Sequence, residues 1–285
     1  MQRRDFIILI GGAAIACGVS LISGAWSANT GQTGIARQTV IFKSGEIELS
    51  GALYRPQGKG PFPTLIWNHG SEKAPDASLQ FDSLASIFVP AGYAVFAPMR
   101  RGHGRSQGQY IVDVVRQMQV ITGFEAANRL TVHLLETEQL DDQLAGLTYA
   151  RQLAFVAPDQ IAVAGCGYGG IQSLLAAEQN VGYRAAISIS PAALSWSYSP
   201  LLRTRLTQTV QGINIPVLLL QPARDASLEP SRILGAEATR LGKALTTKVY
   251  LDTGPEDERG HCFGGAKGMH VWAEDAKAFL AANVL

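Results

Sequence analysis

Cysteine is scarce in this 285-residue chain: Cys17, Cys166 and Cys262 are the whole complement. That excludes a disulfide-dense scaffold and leaves stability to a hydrophobic core. The five histidines are scattered, and none falls in an HExxH or CxxC setting, so neither a metal nor a cofactor is implied. Charge is low as well, with 16% Asp, Glu, Lys and Arg against 47% hydrophobic residues. Such a balance suits one large core and a single domain. The formal net charge is +1, and Arg3, Arg4 and Asp5 at the N-terminus account for it; the rest of the chain is balanced. Nucleic acid and anionic membrane surfaces are therefore poor partners. There is no internal repeat.

The absence with the largest consequence is one side chain. Residues 159–177, DQIAVAGCGYGGIQSLLAA, pass from a small and β-branched run at Ile161–Ala164 through a glycine-dense corner into a helical pattern at Ile171, Leu174 and Leu175. The corner Gly165-Cys166-Gly167-Tyr168-Gly169 has the frame G-x-S-x-G of a nucleophile elbow. Gly167 stands where that motif has its serine.

Met1 to Ala25 reads as an export signal of the twin-arginine type. Gln2, Arg3, Arg4, Asp5, Phe6 and Ile7 precede an uncharged stretch to Ala25, where Ser23-Gly24-Ala25 offers a small-x-small cleavage site. A membrane anchor and a lipoprotein signal at Cys17 are the alternatives to cleavage. The expected location is exported, periplasmic or extracellular, with no membrane association once the signal is removed. Residues 26–36 are small and polar and read as a flexible lead-in, and the folded domain is expected over 37–285.

Alternating patterns at Val40–Lys43 and Glu46–Tyr54 predict an antiparallel pair turning at Ser44-Gly45. Further strands are expected at Thr64–Trp67, Tyr93–Ala97, the elbow, Ala185–Ile189, Pro216–Leu220 and Thr247–Leu251. Helical spacing appears at Phe81, Leu84, Ala85 and Phe88, over about Gln119 to Leu153, at Leu234, Ala238 and Leu241, and at Trp272, Ala276, Phe279 and Leu280. Strands alternating with helices over this length imply a mostly parallel sheet covered on both faces, with ligands at the carboxyl ends of the strands.

Four motifs, WNHGSE at 67–72, RRGHGRSQG at 100–108, the elbow, and GHCF at 260–263, make residues 37–285 resemble the α/β-hydrolase superfamily, and within it the dienelactone-hydrolase-like carboxylesterases. The resemblance implies an α/β fold with a central sheet of about eight strands, a small cap insertion, and a catalytic triad in the order nucleophile, acid, histidine. Position 167 would be the nucleophile. Asp225, in the loop after Pro216–Leu220, is the candidate acid; its alternative reading is a residue near a helix start, since Pro230 follows. Asp252, Glu256 and Asp257 come too late in the chain for that acid. His261 is the candidate histidine, with a solvated loop residue as its alternative reading. Of its rivals, His133 lies in a helical stretch and His270 opens the last helix, while His69 and His103 belong to glycine-rich loops.

By the same resemblance, the backbone N–H groups of Ser71 and Tyr168 would form the oxyanion hole. Arg100, Arg101 and Arg105 are read as structural, pairing with carboxylates or carbonyls. The segment 192–213, carrying Trp196 and Tyr198, stands where a cap would line an apolar pocket, or serves as an ordinary packed crossover.

Gly167 offers no oxygen or sulfur for an acyl-enzyme. Three readings follow: a silenced hydrolase, a protein that kept the pocket to bind a small apolar ester or lactone, or rescue by a neighbour. Cys166 is the nearest substitute, since dienelactone hydrolases carry cysteine at the apex. It sits one residue early, however, which would force Tyr168 into a position that the motif reserves for glycine. A water activated by His261 is the remaining substitute.

Overall fold

The computed structural model describes residues 35–77, 79–251, 254–255 and 260–285, together with the backbone of Asn29–Thr30. The expected export signal at 1–25, including Cys17, and the acids Asp252, Glu256 and Asp257 lie outside the described residues. Nine strands form one sheet: β1 (Asn29–Thr30), β2 (Ala36–Ser44), β3 (Ile47–Tyr54), β4 (Phe62–Asn68), β5 (Ala94–Pro98), β6 (Val156–Cys166), β7 (Ala185–Ile189), β8 (Val217–Pro222) and β9 (Leu245–Tyr250), in the order β1-β2-β3-β5-β4-β6-β7-β8-β9. Pairings through β3–β5 are antiparallel and all later ones parallel.

The expected α/β sandwich is present, with the strands at the expected places to within a few residues at their ends. Its ninth strand is new: Asn29–Thr30 pairs with Ala36–Arg37, so the lead-in is not wholly irregular. A two-residue strand in a polar, small-residue segment leaves no alternation to read.

Helices cover both faces: α1 (Gln80–Phe88), α2 (Ile111–Thr122), α3 (Phe124–Glu136), α4 (Glu138–Arg151), α5 (Tyr168–Glu178), α6 (Pro200–Gly212), α7 (Glu229–Leu241) and α8 (Met269–Asn283). The single helical region expected from about Gln119 to Leu153 starts earlier and divides into three. Gly123, at φ +91°, ends α2 and begins α3, and Thr137 separates α3 from α4. No helix among the described residues is long and apolar enough to cross a membrane.

The two-residue period of the strands sorts the core. On β4, Ile66 joins a cluster under α4–α7, while Leu65 and Trp67 join one under α1 and α8. Trp67 stacks on Trp272 of α8 at 6.2 Å between ring centroids. In the centre, β6 carries Ile161-Ala162-Val163-Ala164-Gly165-Cys166, all buried. Small residues there let α5 lie close against the strand ends. A Cβ on Gly169 would collide with the Asn68 carbonyl, and one on Gly165 with the Gly169 backbone.

Candidate active site

The turn from β6 into α5 puts Gly167 at φ +58°, ψ −114°, a backbone region that only glycine occupies without strain and that functional sites hold by over-determination. Two ties hold it here, from the Gly167 N–H to the Ile189 carbonyl (2.8 Å) and from the Ile171 N–H to the Gly167 carbonyl (3.1 Å). A Cβ built on Gly167 would lie 2.8 Å from His261 Nε2, 3.4 Å from Cys262 Sγ and 3.6 Å from His261 Cε1. The corner is thus aimed at the imidazole.

Asp225 lies in the loop after β8, and His261 in the segment between β9 and α8. His261 Nδ1 donates to Asp225 Oδ1 at 2.9 Å, and the Asp225 side chain is fully buried. Oδ1 also accepts from the Ala226 N–H (2.8 Å), and Oδ2 from Gln221 Nε2 (3.0 Å). Burial pushes the Asp225 carboxyl up, but hydrogen bonds from His261, Ser190 and Gln221 outweigh it and hold the pKa below the ordinary carboxylate value. Asp225 is therefore a carboxylate fixed for one partner. It does not cap α7, whose N-cap is Leu228.

Sequence reasoning missed the supports of this pair. Ser190, at the end of β7, bonds Asp225 and accepts the Cys262 N–H through Oγ at 3.3 Å. Gln221 on β8 is oriented by the Ser231 hydroxyl. Neither sits in a motif; their positions at strand ends were the available signal. Phe263, fully buried and edge-on to Tyr250 at 5.3 Å, anchors the histidine segment, although both Cys262 (φ +57°) and Phe263 (φ +55°) are left-handed.

Cys166 and Cys262 form a disulfide with Cα atoms 5.8 Å apart, within the usual range. The sulfur of Cys166 is bonded, so it is not a free substitute nucleophile. The bridge joins the residue before the apex to the residue after His261.

Ser71 and Tyr168 both face one cavity of about 520 Å³. Tyr168 opens α5, where first-turn N–H groups have no partner within the helix and the dipole favours negative charge. Arg100 orients the other side. Its Nη2 donates to the carbonyls of His69 (3.0 Å) and Gly70 (2.7 Å), and its Nε donates to Gln139 (3.1 Å). Because the peptide is planar and trans, a Gly70 carbonyl turned toward Arg100 turns the Ser71 N–H the opposite way. The Arg100 guanidinium also stacks over the Tyr168 ring at 4.9 Å. Burial lowers its pKa to about 10.

Arg101 grips Asp142 of α4 through Nε (2.9 Å) and Nη2 (2.8 Å). Arg100 and Arg101 thus pair as expected. Arg105 is exposed and pairs with nothing among the described residues, because its loop turns it outward. Of the other histidines, His69 and His103 are buried beside Arg100, while His133 and His270 are exposed.

The cavity is closed by α2 and α3 (Val115, Phe124, Leu135) on one side and by residues 192–202 on the other, with Tyr198 and Leu202 in its wall. Trp196 does not reach it. Its ring is buried in the core, because the turns after β7 are helix-like, with the Trp196 N–H on the Ala192 carbonyl (2.8 Å), and carry Ala192, Trp196 and Ser199 inward. Glu72, Gln80, Gln119, Asn128, Thr131, Ser195 and Ser199 add polar groups to a lining that is more apolar than polar.

A family model described as X-Pro dipeptidyl-peptidase (S15 family) matches residues 44–249. The chain belongs to this family. It is a member of the α/β-hydrolase superfamily. A curated relative, the quorum-quenching protein AidA of Acinetobacter baumannii, is 27% identical over 174 residues, which are 61% of this chain and 50% of AidA. The match thus spans half the length of that relative. Among solved structures, an esterase of Pyrococcus furiosus superposes with a TM-score of 0.66 at 15% identity, covering 89% of this chain and 95% of that one. A Klebsiella pneumoniae protein described as a dienelactone hydrolase gives 0.64 at 16%, covering 87% and 98%. An acylaminoacyl peptidase of Pyrococcus horikoshii gives 0.65 at 16%, covering 88% of this chain and 42% of its own. At such identities these structures speak for the fold.

Proposed function

We propose that this S15-family member is an exported protein with a site built to hydrolyse a carboxylic ester or lactone, using position 167 as nucleophile, His261 as base and Asp225 as its orienting acid. We further propose that Gly167 leaves the site impaired. The observation that carries this reading is the line from Asp225 through His261 to the point, 2.8 Å from Nε2, where residue 167 would bear a Cβ. A serine hydroxyl there would give its proton to Nε2 and attack the carbonyl, with the Ser71 and Tyr168 N–H groups receiving the oxyanion. A glycine has nothing to give. Loss of the nucleophile in such triads lowers turnover by about a millionfold and leaves roughly 10³ to 10⁴ over water from the oxyanion hole and binding.

The test is hydrolysis of an activated short-chain aryl ester by the chain and by its Gly167→Ser variant. The added Cβ stands closer than side-chain contacts allow, so the imidazole must retreat by a few tenths of an ångström; a ring at the end of a side chain can do so. Gain of turnover in the variant alone supports the reading.

A second reading, a binding protein for a small apolar ester or lactone, draws support from the cavity of about 520 Å³, whose apolar wall does not depend on residue 167. It predicts saturable binding of a non-hydrolysable ester analogue by calorimetry and no gain from serine. Quorum quenching, the property named for the Acinetobacter relative, is a further candidate role.

A further inference from the structure

The cavity floor has one sulfur pair that the hydrolytic reading leaves idle. Cys166 and Cys262 both line the cavity, and Cys262 Sγ lies 3.4 Å from the point a Cβ on residue 167 would occupy, the same point that His261 Nε2 approaches to 2.8 Å. Cys166 is buried at the end of β6, with 6% of its surface exposed, whereas Cys262 is partly exposed on the histidine segment. From this juxtaposition we propose that the disulfide is a masked nucleophile, and that its reduction frees Cys262 to act as the catalytic thiol with His261. The proposal rests on reading the site as one for acyl transfer.

The chemistry balances with a dithiol as reductant. One of its thiolates attacks the bridge, and its second closes the exchange, so that the dithiol is oxidised to a disulfide and Cys166 and Cys262 each become thiols. The Cys262 thiol passes its proton to His261 Nε2, and Asp225 holds the resulting imidazolium. The thiolate attacks the ester carbonyl, the oxyanion rests on the Ser71 and Tyr168 N–H groups, and the C–O bond breaks as His261 protonates the departing alkoxide. Water, deprotonated by His261, then cleaves the acyl-thioenzyme to the free acid and restores the thiol. With the bridge closed, neither sulfur can begin.

The experiment compares aryl-ester hydrolysis by the unmodified chain before and after treatment with dithiothreitol, which is removed by gel filtration before assay. Cys166→Ala and Cys262→Ala variants are run beside it. Reduction is expected to raise the rate at least about 100-fold, the lower end of what a positioned general base supplies. The Cys166→Ala variant is expected to be active with or without reductant and Cys262→Ala inert in both, and mass spectrometry of the stopped reaction should show the acyl group on Cys262. A reduced chain no faster than Cys262→Ala overturns the proposal. If the Gly167→Ser variant is active in that case, the hydrolytic reading stands without it; if that variant is inert too, both fall.

Discussion

In the proposed hydrolysis, residue 167 is the missing member of a line whose other two, His261 and Asp225, are hydrogen-bonded to each other. His261 is fixed by a buried, ionised Asp225, and that carboxylate is fixed by Ser190 and Gln221. In a Gly167→Ser background, Asp225→Asn should lower kcat by about 10⁴, since the imidazole loses the acceptor that sets its tautomer; steady-state kinetics measure this. Arg100 touches the carbonyls behind one proposed oxyanion donor and the ring beside the other. In the same background Arg100→Met should reduce kcat by roughly 10- to 100-fold with KM little changed, and Arg100→Lys should restore only part, because an ammonium cannot span both carbonyls and Gln139. Equal loss through KM alone would assign Arg100 to substrate binding. Asp225 and His261 were legible because chain order and loop position narrow the choice. Ser190 and Gln221 were not, since a buried hydroxyl and an amide on strand ends look like core. Whether Cys166 bridges Cys262 was left open, because that depends on a Cα separation that a sequence separation of 96 does not reveal.

At the level of elements, the strands were legible from period-two alternation and from short apolar runs. The cap was not. The apolar positions of α2 and α3 do not share one buried face: Val115 and Phe124 line the cavity, Leu135 is buried, and Val120 and Ile121 are exposed. One long helical region was the simplest reading of that pattern, and Gly123 and Thr137 break it. The loop after β5 is held to α4 by Arg101, whose backbone N–H and guanidinium both donate to the buried Asp142. Without Asp142, Arg101 keeps, among the described residues, only the half-exposed Glu138, 3.3 Å away. Asp142→Ala should cost about 3–5 kcal/mol of stability in urea denaturation, more than the 0–1 kcal/mol of a surface pair. A loss below 1 kcal/mol would mean that the loop is held by its other contacts.

Across the whole molecule, burial of histidine beside Arg100 sets a pH limit. Burial, with the adjacent Arg100 charge, lowers His103 from its ordinary 6.5 to about 4, and His69 is lowered as well. Between those values the unfolded chain takes up a proton that the folded chain refuses, so stability falls as pH drops from about 6.5 to about 4. Integrated over that window, His103 alone accounts for roughly 3 kcal/mol. Urea midpoints measured from pH 7 to 4.5 should therefore decline, and His103→Gln should flatten the slope; an unchanged slope would contradict the assignment. Asp225 acts the same way at lower pH: its depressed pKa adds stability above the ordinary carboxylate range, which is lost as pH falls through the folded value. Trp67 and Trp272, stacked and nearly inaccessible, tie β4 to α8 across the face opposite the cavity. Trp272→Ala should cost about 3–5 kcal/mol by urea denaturation.

The most direct measurement is the rate of aryl-ester hydrolysis by the oxidised chain beside its oxidised Gly167→Ser variant. The expected result is turnover in the variant, with the unmodified chain lower by at least about 10³. Equal rates in the two, or no turnover in either, would contradict the assignment of position 167, Asp225 and His261 to one catalytic site.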